Sequence, residues 1–235
     1  MPRTTPRQQP LDTEPRVRRG YFECRFGQLH VHNAIPPGGG FEEGTSLLCL
    51  HGAGATGRIF TALLALVGRD RSVYAPDLPG CGESDAPPRP LAVADYAAAI
   101  GDFLDSMRLR HIDVLGQGAG AVVATELADT RTAQVRRVVL VSVPLGGDGL
   151  PGAAYSGGAR GQGGAAAPYP LRERLGRVSQ ALLVLRPRDE WWEAGPRVRE
   201  AQPAARMLDF PEHGGDLFQS APGRAAEAVR AFLRD

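Results

Sequence analysis

Cysteine is scarce in this chain. Only Cys24, Cys49 and Cys81 occur, far apart and with no C-x-x-C pair. An odd, scattered set is not a disulfide framework, so the expected compartment is the reducing cytoplasm. Long apolar runs are also missing. No stretch approaches the roughly 18 residues that a bilayer span needs, and the first residues have no apolar core of the signal-peptide kind, so no membrane association is expected. A surplus of either charge is absent as well: 27 Lys plus Arg face 26 Asp plus Glu. This balance argues against a nucleic-acid groove or a strongly basic surface.

What is present suits one domain. A chain of 235 residues buries enough apolar surface to hold a core without staples. Residues 1–19 carry four prolines and five arginines among few apolar side chains, the composition of a disordered tail. A single folded domain is expected over 20–235. Tyr21–Phe26 and Gln28–Ala34, parted by Gly27, read as a hairpin. Strands then alternate with helices. Leu47–Leu50, Ser72–Ala75, Ile112–Leu115 and Val138–Val143 read as strands. Helices are expected near Ile59–Val67, Ala92–Met107 and Ala119–Ala128. Further on, strands are expected at Ala181–Leu185 and Ala205–Phe210, a poor helix over Trp191–Glu200 and a final helix at Ala225–Leu233. This alternation predicts an α/β fold with a mostly parallel sheet and helices on both faces. Ligands in such folds sit at the carboxyl ends of the strands. Between the halves, residues 145–170 are crowded with glycine and poor in apolar periodicity, and read as a flexible loop. Leu171–Val178 is the one helical candidate beside it.

Three segments carry a family resemblance. Leu47-Leu48-Cys49-Leu50-His51-Gly52-Ala53-Gly54 is a strand ending in a His-Gly turn. Asp77-Leu78-Pro79-Gly80-Cys81-Gly82-Glu83-Ser84 is a D-x-P-G-x-G-x-S loop. Val114-Leu115-Gly116-Gln117-Gly118-Ala119-Gly120 stands where a G-x-S-x-G turn belongs. In order and spacing the three resemble the α/β-hydrolase superfamily. The resemblance implies an α/β-hydrolase fold whose strand-to-helix turn lifts one residue above the sheet.

In that family the residue at the turn is the attacking serine; here it is Gly118. Glycine adopts a positive-φ turn at little steric cost, but it has no atom that can attack a carbonyl. The resemblance further implies an oxyanion site formed by the amides of Ala53 and Ala119, flanked by Gly52 and Gly54. It implies an acid at Asp189, with Glu190 the alternative. The family's histidine follows a proline by four residues, and Pro211 leads in this way to Gly215. Pro222, seven residues further, gives the same assignment. His213 stands two residues early, a displacement of roughly 6 Å along a loop, and is kept as a tentative base. The helical cap of the family is reduced here to the glycine-rich loop.

The expected function is therefore a hydrolase homologue that has lost the triad and binds a small acyl- or carboxylate-type ligand, or a protein partner. An atypical ester or amide hydrolase, with His213 and Asp189 activating water, is the alternative. Gly116–Ala121 also fits the G-x-G-x-x-A dinucleotide pattern, but the following strand ends without an acid for a ribose. Another serine, such as Ser84 or Ser142, or the thiol of Cys81, is a conceivable replacement for the missing nucleophile. His51 is expected to brace its loop, and Trp191-Trp192 to serve packing. His30 and His32 share one strand face and are expected at solvent or a sheet edge; no third metal ligand is evident, so neither metal nor cofactor is expected.

Overall fold

The computed structural model describes residues 14–37, 39, 45–145 and 169–234. Within them, β1 (Arg18–Cys24) and β2 (Gly27–Ala34) form an antiparallel hairpin. β2 pairs antiparallel with β4 (Val73–Pro76). The other strands, β3 (Ser46–Leu50), β5 (Ile112–Gln117), β6 (Val135–Val141), β7 (Ala181–Pro187) and β8 (Arg206–Phe210), run parallel. The order across the described sheet is β1-β2-β4-β3-β5-β6-β7-β8.

The central strands are largely apolar because both their faces are covered. Leu48, Leu50, Val114, Val138, Leu140 and Val184 point into one core. The alternate residues Leu47, Cys49, Leu115, Val139, Val141 and Leu185 point into the other. The first core is roofed by α2 (Val93–Ser106), α3 (Ala119–Thr130) and α4 (Leu171–Arg177). The second is closed by α1 (Thr61–Val67) and, after the short α5 (Val198–Ala201) and α6 (Leu217–Ser220), by α7 (Pro222–Arg234). The α/β-hydrolase architecture read from the sequence is the one observed.

Several expectations need correction. The hairpin begins at Arg18, which pairs with Asn33, so the last two residues of the expected tail belong to the sheet. Residues 1–13, and the glycine-rich stretch from 146 to 168 expected as a cap remnant, lie outside the described residues. The poor helix over Trp191–Glu200 is broken up: residues 191–194 form turns, Gly195–Arg197 a single 3₁₀ turn, and α5 begins at Val198. Gly195 and Pro196 disfavour continuous helix, the latter for want of an N–H. His30 is not at a solvent-facing edge. β2 lies between β1 and β4, and His30 is only 1% exposed.

Candidate functional site

The site is built where β5 turns into α3. β5 stays in its ladder up to Gln117, opposite Val141. Gly118 then donates its N–H to the Val141 carbonyl at 2.8 Å and reverses the chain at φ 56°, ψ −120°. The flanking glycines allow the close approach. A Cβ at Gly116 would lie 2.3 Å from the Gly120 carbonyl oxygen, and one at Gly120 would lie 2.1 Å from the Leu50 carbonyl oxygen. Packing alone therefore accounts for Gly116 and Gly120. At Gly118 the opposite holds: a Cβ would meet only the Gly52 Cα, at 3.9 Å.

The neighbouring turn at the end of β3 is held by His51. Its Nδ1 donates to the Gly52 carbonyl at 2.8 Å, and its Nε2 accepts the Leu78 N–H at 2.9 Å. One tautomer satisfies both bonds. Burial pushes the imidazole pKa down, against a smaller opposing effect from the Gly52 carbonyl, so the ring is a neutral brace.

A cavity of about 530 Å³ opens over this turn. Gly52, Ala53, Gly118, Ala119, Asp189 and Gly215 all line it. Five residues expected at the site thus converge with Gly215, whose position was inferred only from its flanking prolines. Gly54 turns at φ 70° and is not among the lining residues. Asp189 is held in orientation, its Oδ1 accepting the Trp191 N–H at 2.9 Å. Its Oδ2 lies 3.8 Å from where a Cβ on Gly215 would stand. Glu190 and Trp191 also line the cavity, so Trp191 does more than fill a core. Trp192 packs as expected, its ring 4.4 Å from the Arg186 guanidinium.

His213 is placed elsewhere. Its Nδ1 lies 3.4 Å from Ser220 Oγ, its Nε2 3.4 Å from the Arg224 guanidinium, and the Phe210 ring packs nearby. It is not among the residues lining the cavity. The substitute nucleophiles differ among themselves. Ser84 Oγ is committed to its turn, donating to the Asp77 carbonyl and accepting from the His30 N–H. Cys81 is 8% exposed, and burial raises its thiol pKa, so it is not activated. Ser142 does line the cavity, at φ 54°, with a buried Oγ that lacks a partner.

Sequence reading missed two polar groups here. Gln117, the residue before the turn, donates from Nε2 to the Gly215 carbonyl and leaves Oε1 buried without a partner. Ser142 was considered only as a spare hydroxyl. Neither a left-handed backbone at a strand end nor a contact across 98 residues has a local signature.

Comparisons with known proteins agree with the fold. The family model described as "Alpha/beta hydrolase family" matches residues 47–233. An uncharacterized protein of Mycobacterium tuberculosis is 32% identical over 99 residues, covering 42% of this chain and 29% of that protein. A "Magnesium-chelatase 30 kDa subunit" of Rhodobacter capsulatus is 33% identical over 146 residues, covering 60% of this chain and 49% of that protein. The chain thus spans about half or less of the length of these relatives. Among solved structures, naproxen esterase (carboxylesterase NP) from Bacillus subtilis superposes with a TM-score of 0.78 at 19% identity, covering 93% of this chain and 92% of that one.

Proposed function

The chain belongs to the alpha/beta hydrolase family, and from that premise we propose that it binds a small acyl- or carboxylate-type ligand without serving as a serine hydrolase. One observation carries the reading. Gly118, Asp189 and Gly215 meet at one cavity, and two of the three offer only a hydrogen atom as side chain. Asp189 has no imidazole to orient, and Gly118 no hydroxyl to activate. The amides at Ala53 and Ala119, with the N-terminus of α3, remain suited to an oxyanion. Ser142 Oγ, which lacks a partner, would donate a hydrogen bond to the ligand's polar end. In this reading the chain from Arg18 onward acts as one domain. The match to a protein described as a subunit favours partner binding as the second reading.

The test restores what is missing. At both Gly118 and Gly215 a Cβ would meet no heavy atom closer than 3.8 Å, so Gly118→Ser and Gly215→His start from open positions, the first at a strained φ of 56°. On p-nitrophenyl acetate the parent and Gly118→Ser alone are expected to stay below about 1 s⁻¹. A residual 10³–10⁴-fold acceleration over water, roughly, is consistent with an oxyanion site alone. The double variant G118S/G215H is expected to gain turnover, and a fluorophosphonate probe to label the double variant but not the parent. Calorimetry with butyrate and octanoate is expected to show binding to the parent. Labelling of the parent, or parent turnover above that rate abolished by His213→Ala, would overturn the non-catalytic reading. No binding of either carboxylate at millimolar concentration would remove the ligand class.

A further inference from the structure

A second group of chemistry-bearing side chains lies outside the cavity just described. It is formed where β2 passes under the loop that follows β4. His30, His32 and Asp77 each offer a donor atom within 4.8 Å of the other two. Asp77 is 2% and His30 1% exposed. The carboxylate is fixed from behind: its Oδ1 accepts the Gly57 N–H at 2.7 Å and its Oδ2 the Glu83 N–H at 3.0 Å. His30 Nδ1 donates to Oδ2 at 2.9 Å.

Two atoms of this group are left over. His30 Nε2 and His32 Nδ1 are both buried and have no hydrogen-bond partner. The two rings stand edge to face, with centroids 4.7 Å apart. Buried polar atoms are nearly always satisfied, and an exception calls for a missing partner. Above them, Glu83 Oε2 lies 3.9 Å from His30 Nε2. Glu83 accepts the Tyr21 hydroxyl at 2.8 Å, and both side chains are more than half exposed. Two imidazoles and one buried carboxylate make up a nitrogen–oxygen donor set, with a second carboxylate on the solvent side.

We propose that His30, through Nδ1, His32 and Asp77 bind a divalent transition-metal ion of the zinc class, with Glu83 the outer carboxylate facing the opposite ring nitrogen of His30. The donor set is that of borderline divalent metals. Tetrahedral ligands at about 2.0–2.1 Å from zinc stand roughly 3.3 Å apart. His30 Nδ1 and Asp77 Oδ2 are already at 2.9 Å, and the half-buried His32 side chain has to close at most about 1.5 Å from the 4.8 Å limit. The hydrogen bonds from Gly57 and Glu83 orient the ligating carboxylate as outer-shell partners do. With the ion on Nδ1, His30 takes its other tautomer and carries its proton on Nε2, facing Glu83 Oε2 at 3.9 Å. Because Gly57 hangs from Asp77, an ion here tightens the segment that follows Ala53, and so steadies one wall of the cavity.

The experiment uses the full chain, freed of any polyhistidine tag and stripped with chelator. Equilibrium dialysis against zinc is expected to retain about one equivalent per chain, and cobalt to give the visible absorption of a low-symmetry, few-coordinate site. His32→Ala, at a half-buried position, is expected to stay folded and to weaken binding by about 100-fold or more, beyond the 10–100-fold typical of outer-shell losses. His111→Ala, at an exposed strand start, is expected to change nothing. His30→Gln serves as a second ligand variant, with circular dichroism checking its fold. Retention of no metal, or of one equivalent with undiminished affinity in His32→Ala, would overturn the site.

Discussion

At the scale of single residues, His51 shows how a histidine in a hydrolase-like turn can be structural. Both its ring nitrogens are spent on backbone groups, Gly52 and Leu78, and it is fully buried. Its folded pKa lies below the unfolded value of about 6.5, chiefly through desolvation. Between the two values the unfolded chain binds more protons, so stability rises with pH there. The contribution is complete above about pH 6.5 and is lost as pH falls through the lower folded value. The urea midpoint of the parent is expected to drop on acidification from about pH 7.5 to 5, and His51→Asn to flatten that part of the profile. At neutral pH the same variant is expected to cost about 1–3 kcal/mol, for the Leu78 N–H left without an acceptor. At this scale the residues with a local sequence signature were legible: Gly118 from its motif, Asp189 from its loop, Gly215 from two prolines. Gln117, Ser142 and the joining of His30 to Asp77 were not. Each depends on a partner brought near by the sheet, and Asp77 is 47 residues from His30.

Among elements, the contact of α3 with β3 sets the geometry of the turn. Gly120 presses on the carbonyls of Leu50 and His51, which a Cβ would approach to 2.1 and 2.6 Å. Backbone cannot swing aside as a side chain does, so Gly120→Ala is expected to lose about 1–3 kcal/mol or more. Gly176, exposed in α4 with nothing within 4 Å of a Cβ, gives the contrast. Gly176→Ala is expected to stabilise by about 0.5–1 kcal/mol through helix propensity and unfolded-state entropy. Paired chemical denaturation curves check both. The element order was legible because the strands are short apolar runs and the helices carry stripes, and these periods are local. Boundaries were less so. β5 extends to Gln117 because β6 continues the ladder beside it, and the single turn of α6 is too short to show a period.

The whole molecule depends on two cores that share one sheet. α7 closes the second with Ala225, Ala226, Val229, Phe232 and Leu233, all buried, while Phe60 and Phe218 meet there at 5.1 Å. Fully burying one such large side chain is worth about 1.5–3 kcal/mol, comparable to a large part of a domain's net stability of roughly 5–15 kcal/mol. A chain ending after Ala221 is therefore expected to lose its cooperative thermal transition, as scanning calorimetry would register. Tail and cap readings rested on composition alone, which says nothing of a contact, and Arg18 joined the sheet because Asn33 was there to pair with it. The bend at Gly118 has a bearing on heat. An L-residue held at the φ of Gly118, 56°, would sit about 1–3 kcal/mol uphill, and a domain of this size registers each kcal/mol as roughly 2–4 °C of melting temperature. Gly118→Ser is therefore expected to melt a few degrees below the parent, so a side chain restored at this bend exacts endurance before it returns any turnover.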